Sequence, residues 1–445
     1  MVPHPPMIVK EVGRGSEKQI KKTIESYERV AKEIAELNPE TIIISSPHTI
    51  YYSDYFHICN GPRLKGNFGQ FGAKQVEFDE EVDEELIEEI ERIAKQKEFP
   101  AGRTKEIGLD HGTMVPLYFI RKQLPSTKIV VVGLSHLSLA ENYEFGTIIK
   151  EAINNLNKKV VFVGSGDLSH KLQDYGPYGF IKEGPIYDQK IMGTMSKANF
   201  NELLEYDEDF LEKCAQCGHR SFTIMAGALD GIELKTTYLS HEDVTGVGYG
   251  ICTFYPTGEN LERKYLDKYL EDKKVKPSED PYVKLAVESL TSYIKEHKHL
   301  KKPSDLPKEM LNKRSGVFVS IHKFGNLRGC IGTFLPTTNS IAEEIINNAI
   351  EASTDDPRFF PITEQEIPYL EVNVDVLSTP EPTTREELNP KKYGVIVTQG
   401  FKRGLLLPDL DGIDTVEEQI NIAKRKAGIT DGEVKLQRFE VIRHK

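Results

Sequence analysis

The sequence predicts an N-terminal α/β domain with a largely parallel central sheet over residues 1–256, and a smaller C-terminal α+β domain over 281–445. Three observations predict it. Apolar runs of strand length alternate with amphipathic helical stretches through the first half, the pattern of βαβ units. A dense charge run, LERKYLDKYLEDKKVKPSED, interrupts this alternation within 257–280. Beyond it the apolar period becomes two, as in hairpins with one buried face. The 445 residues also exceed what a single core organises.

In the first half, Ser16 is placed to cap a helix and Gln19 to complete a capping box. Ile20, Ile24, Tyr27, Val30, Ile34 and Leu37 recur at steps of three and four, so they form one apolar stripe, which Asn38-Pro39 ends. Residues 42–44 follow as a buried strand. The runs 129–134 and 160–164, with a helical stretch near 141–156 between them, continue the alternation, and a strand over 247–255 closes this half. Within the charge run a single linking helix before Pro277 is expected, with its charges simply solvated.

The second half opens on a helix carrying Val283, Ala286, Val287, Leu290 and Ile294 on one side. GVFVSIHKF, Gly325-Asn326 and LRGCIGTF read as a hairpin with its turn glycine. Ser340 with Glu343 signals the cap of a helix over 341–352. LEVNVDVLS alternates from Leu370, GVIVTQGFKRGLLLP makes a second hairpin, and a last helix stops at Gly428.

Composition narrows the partners. Lys+Arg 57 against Asp+Glu 69 leaves a net charge of -12, which argues against nucleic acid or an anionic membrane and for a small-molecule or protein-borne substrate. No apolar run approaches the roughly 18 residues of a bilayer span, and MVPHPPMIVKEVG lacks a basic segment followed by an apolar one. Five cysteines make no disulfide framework. A cytoplasmic protein is expected; nothing specifies an oligomeric state.

Three apolar runs each end in serine and histidine: IIISSPH to His48, IVVVGLSH to His136 and VVFVGSGDLSH to His170. Ligands of open α/β sheets sit outside the carboxyl ends of the strands, so these imidazoles are expected along one rim. His4 in PHPP, His111 in GLDHGT and His241-Glu242 in YLSHED share the same loop context. One histidine alone is usually structural, but six set alike point to a metal ion. Imidazole and carboxylate suit iron, manganese, zinc or copper, and two histidines plus a carboxylate form the non-haem Fe(II) arrangement. Cys214 and Cys217 have CxxC spacing without a second such pair, which favours a structural thiol pair over a redox or metal role.

PHPP, SSPH, LDHGTMVPL and SGDLSH together resemble the catalytic subunit of class III extradiol ring-cleavage dioxygenases, and more closely its Memo-type relatives, over about residues 1–256. The resemblance implies His4 and His48 as Fe(II) ligands and His170 as the acid/base or a further ligand. It also implies a late third ligand, Glu or His in ring-cleaving members and Cys in Memo relatives. Here His241 and Glu242 stand side by side, and neighbours on a strand face opposite ways, so one of them reaches the metal; Glu242 is the expected ligand. His111 is expected to orient a substrate oxygen. Asp167 either orients His170 or caps the following turn, the cap being the plainer role. Zinc or copper suits the same ligands, so a zinc hydrolase and a non-enzymatic metal-binding adaptor stand beside the oxidoreductase reading.

LRGCIGTF, IAEEIINNAIEAS, DDPRF and GLLLPD resemble the AMMECR domain. The whole chain thus looks like a fusion of the B and A components of the AmmeMemoRadiSam system, which implies a radical SAM protein as partner. Cys330, beside Arg328, reads either as an activated thiol or as a small residue where Gly329 and Gly332 allow close backbone approach. Arg358 either binds an anionic substrate or ties a loop.

Overall fold

The apolar run 41–46 is buried along its whole length, as a strand with parallel neighbours on both edges requires. In this computed structural model, which describes residues 1–105, 107–410 and 412–445, the strands up to Gly164 are β1 (Thr41–Ser46), β2 (Phe56–Ile58), β3 (Arg63–Phe68), β4 (Ala73–Glu81), β5 (Ala101–Arg103), β6 (Lys128–Gly133) and β7 (Val160–Gly164). β3 and β4 form a separate hairpin. The other five make one sheet in the order β5-β2-β6-β1-β7, parallel throughout except where β2 meets β6.

Because β6, β1 and β7 lie side by side in one direction, the segments carrying His136, His48 and His170 leave the sheet at one edge. The N-terminus joins them there. Val2 N donates to Gly164 O at 2.9 Å and Gly166 N to Val2 O at 2.9 Å, which extends β7 and sets His4 at the same edge.

The helix Lys21–Leu37 buries Tyr27, Val30, Ala31 and Ile34 and ends at Asn38 in the left-handed region (φ 45°). Ser16 does not cap it. Residues Ser16–Ile20 form a 3-10 turn, and the Ser16 hydroxyl donates to Gly13 O. The first turn is served instead from far along the chain: Thr23 N donates to Glu242 Oε2 at 2.7 Å.

β8 (Ile232–Glu242) and β9 (Tyr249–Glu259) pair with each other, so the closing strand forms its own long hairpin and does not add to the central sheet. The helix Tyr265–Asp272 buries Leu266 and belongs to the first of two compact units, Met1–Asp272 and Lys273–Lys445. Residues 257–272 of the expected linker 257–280 therefore belong to the first unit.

In the second unit, Asp280 caps the helix Pro281–Glu296 by accepting from Tyr282 N at 2.8 Å. The remaining strands are β10 (Val317–Lys323), β11 (Asn326–Thr333), β12 (Leu370–Leu377), β13 (Glu381–Pro382), β14 (Gly394–Gln399), β15 (Lys402–Leu406), β16 (Lys435–Phe439) and β17 (Val441–His444). They make two antiparallel sheets, β11-β10-β12-β17 and β13-β16-β14-β15. The first hairpin turns on Phe324-Gly325, both at positive φ (54° and 83°), one residue earlier than Gly325-Asn326. Ser340 Oγ accepts from Glu343 N at 3.3 Å and starts the helix Ile341–Thr354 as the sequence suggests. No described helix is long and apolar enough to cross a membrane.

Candidate functional site

His4 sits at the centre of the sheet edge, 2% exposed. Its Nε2 lies 3.0 Å from His48 Nε2 and 3.5 Å from Cys217 Sγ. The ring of His111 is stacked on that of His48 at 4.1 Å and edge-on to that of His4 at 5.4 Å. One ligand atom from each of His4, His48 and His111 lies within 4.8 Å of the others, and the same holds for His4, Asp167 and Cys217.

Local structure explains why these side chains meet. His111 opens the helix His111–Ile120, whose cap Asp110 accepts from Thr113 N at 3.1 Å and from Ser46 Oγ at 2.6 Å. The cap thus ties the helix start to the end of β1. Gly112 is needed there because a Cβ would stand 2.4 Å from Ser46 Oγ and 3.4 Å from His4 Nδ1. Gly166 is needed for a similar reason, since its Cβ would meet Gly218 Cα at 2.1 Å. That close approach brings Cys217 under the SGDLSH loop, where its Sγ accepts from Asp167 N at 3.2 Å.

Hydrogen bonds also set the tautomer of His4. The Ser165 hydroxyl donates to Gly112 O at 2.6 Å, so its oxygen accepts the Nδ1 proton of His4 at 2.9 Å. Nε2 then carries the lone pair, aimed at His48 and Cys217. Burial lowers the pKa of His4, which His48, His111 and His170 lower further. Burial likewise lowers His48, and pushes His111 and His170 down to about 4. The cluster is neutral at pH 7, the state that binds metal. Burial, and then the charge of Asp167, push the Cys217 thiol well above the usual range. A cation at this point would favour its thiolate.

The donor set therefore fits a metal ion: three convergent imidazole nitrogens, one thiol and one fixed tautomer. His170 adds a further sign. Its Nε2 is buried without a hydrogen-bond partner, while its backbone N–H is held by Cys214 O at 3.3 Å.

Several sequence expectations find other places. Glu242 Oε2 accepts from Thr23 N and Thr23 Oγ1, both at 2.7 Å, and His241 Nε2 lies 2.7 Å from Asp188 Oδ2. Alternation along β8 turns these neighbours to two different helices, and neither joins the His4 cluster. Asp167 neither orients His170 nor caps the next turn; its Oδ1 accepts from His4 N at 2.8 Å, and burial pushes its pKa up to about 7. His136 is exposed, with its ring against Tyr51. His111 stands among the candidate ligands.

Cys217 is the residue that spacing missed. Treating Cys214 and Cys217 as a pair hid it, because Cys214 is buried with its thiol directed to Glu183 O. Gly218 directly after Cys217 was the available signal of close backbone approach.

In the second unit, Cys330 faces Ser320 across the hairpin, with Sγ 3.2 Å from Ser320 Oγ. Arg328 is engaged by Glu366 through Nε at 2.9 Å and Nη2 at 3.0 Å, and donates to Phe360 O. Arg358 donates to Asp356 and, at 3.1 Å, to Cys330 O, which ties its loop to β11. A Cβ on Gly329 would meet Ala352 O at 2.0 Å, so this glycine admits the helix Ile341–Thr354.

Residues 1–252 match the family described as the catalytic LigB subunit of aromatic ring-opening dioxygenase, and residues 283–444 match AMMECR1. A protein of Clostridium acetobutylicum is 43% identical over 462 aligned residues, covering 100% of this chain and 98% of that protein. A Thermotoga maritima protein is 52% identical over 171 residues, 38% of this chain and 98% of its own length. The crystal structure of an uncharacterised Pyrococcus horikoshii protein covers 36% of this chain and 88% of its own, at 32% identity and a TM-score of 0.34. With its histidine-lined sheet edge and its matched N-terminal half, the chain belongs to the family of the catalytic LigB subunit of aromatic ring-opening dioxygenases, and carries an AMMECR1 domain behind it.

Proposed function

We propose that the N-terminal unit is a metal-dependent, iron-using, dioxygenase-like oxidoreductase whose metal is held by His4, His48 and His111, with Cys217 beside them. The observation that carries this reading is the convergence of three neutral imidazoles within 4.8 Å, with the buried, unpartnered His170 Nε2 nearby. When bound, the metal supplies Lewis acidity that makes a ligating hydroxyl easier to deprotonate. His170 then accepts the proton at Nε2 and returns it to the product. Ser165 holds the His4 tautomer, and Asp167 holds the His4 backbone. The ring of Phe71, 5.5 Å from that of His111, and the ring of Tyr178, 5.2 Å from that of His170, offer apolar faces to a planar substrate.

The attached AMMECR1 domain supports a place in the AmmeMemoRadiSam system, with a radical SAM protein as partner and a small-molecule or protein-borne substrate. The Clostridium relative, aligned over this whole chain, supports joint action of the two halves on one process. A second reading is favoured by Cys217: imidazoles with a thiol also suit zinc or copper, in a hydrolase or in an adaptor that only holds the metal.

Metal analysis of aerobically purified protein, then anaerobic Fe(II) loading and an oxygen-uptake assay with catechols, tests the choice. Stoichiometric iron with diol-dependent uptake is expected. Retained zinc, with no uptake after iron loading, would replace the first reading with the second.

A further inference from the structure

His241 and Asp188, which lie outside the histidine cluster, form a built pair of their own. Asp188 is 3% exposed in the helix Glu183–Lys197, and its Oδ1 accepts from Ser169 N at 2.9 Å while Oδ2 meets His241 Nε2 at 2.7 Å. Gly248 makes room for it, since a Cβ there would stand 2.0 Å from Asp188 Oδ2. The hydrogen bond to Asp188 leaves His241 Nδ1 without a protein partner among the described residues.

The pair lies in the wall of a cavity of about 440 Å³, within the size range of small-molecule sites. Leu172, Pro185, Met192 and Tyr238 supply an apolar wall. Asp243, also in the wall, accepts from Gln173 Nε2 at 3.2 Å and has no ion-pair partner among the described residues. Neither Lys nor Arg lines the cavity. Burial lowers the pKa of His241, but Asp188 and then Asp243 raise it, so one imidazole faces two carboxylates of the wall and negative charge stays in surplus beside an apolar surface.

We propose that this cavity binds a small organic amine, its ammonium group on Asp243 and its apolar body against Leu172, Met192 and Tyr238. An ammonium ion is the complement of a wall in which carboxylates outnumber cations, and the apolar surface rewards a ring or short chain attached to it. Asp188 is shared between this wall and Ser169, the residue before His170, so the occupant sits against the same carboxylate that holds the His170 loop.

The test uses the full chain loaded with zinc, a diamagnetic ion, and follows its histidine side-chain resonances during titration with phenethylamine. 2-Phenylethanol and phenylacetate serve as neutral and anionic counterparts of the same shape. The amine is expected to shift the His241 ring saturably and to bind at least tenfold more tightly than either counterpart. Asp243→Asn should weaken the amine at least tenfold and leave the alcohol unchanged. Gly193 lines the cavity and has nothing within 4 Å of where its Cβ would stand, so Gly193→Leu should fill the space and abolish binding without disturbing the helix. Equal or tighter binding of the alcohol or the acid, no binding of the amine, shifts at His4, His48 and His111 in place of His241, or binding that survives Gly193→Leu would each overturn the proposal.

Discussion

A histidine's role here depends on what occupies its second nitrogen. His4 is fixed by Ser165, His241 by Asp188, and His170 Nε2 is left unpartnered. His170→Ala should therefore lower turnover by about 10²-fold or more while metal content stays unchanged, the separation expected of a proton acceptor that is not a ligand. Assay and metal analysis on one preparation check both halves. Glu242→Gln should leave metal content unchanged, because this carboxylate serves Thr23 at the start of a helix. Loss of its charge near the helix N-terminus should cost about 1 kcal/mol in thermal or denaturant unfolding.

Elements hold these residues through their ends. The helix His111–Ile120 is tied to β1 by the Asp110 cap, and Gly112 lets the two close to contact. Gly112→Ala should cost about 1–3 kcal/mol and weaken metal binding with it, since the added carbon reaches both Ser46 and His4; melting and metal titration read the two effects. In the second unit, Glu366 joins β10 and β11 to the turn Glu364–Tyr369 through Lys323 at 3.1 Å and Arg328 at 2.9 Å. Burial alone would raise its pKa, but Lys323 and Arg328 outweigh it and hold the carboxyl at about 2. A depressed carboxyl stabilises the fold above the unfolded value, about 4.3, and that contribution fades as pH falls toward 2. Unfolding measured across this window should show a slope that Glu366→Gln flattens, with a loss on the order of 2–3 kcal/mol at neutral pH.

At the scale of the molecule, each unit has a core of its own: Ile42–Ile44, Val130–Val132 and their neighbours in the first, Val317, Val319, Ile345 and Val374 in the second. Residues 273–445, expressed alone, should therefore melt cooperatively; a noncooperative profile would show that this core is insufficient. The expected linker 257–280 contains the division between Asp272 and Lys273, and the helix Tyr265–Asp272 within it keeps Leu266 in the first unit because tertiary packing, which a charge run does not encode, buries that side chain.

Periodicity and turn chemistry by themselves determined the two-part α/β and α+β architecture, β1, β6 and β7, the helices after Ile20 and Ser340, and the gathering of His48 and His170 at one sheet edge. These follow from local rules, since apolar spacing, caps and strand direction act over a few residues. Only the tertiary structure decided that Cys217 joins the cluster and that Glu242 and His241 do not. The decision lies in contacts across large sequence distances: Gly166 against Gly218 brings Cys217 to His4, Thr23 claims Glu242, and Asp188 claims His241. A strand pattern shows that neighbours face opposite ways; the partner that each side meets depends on which helices pack there.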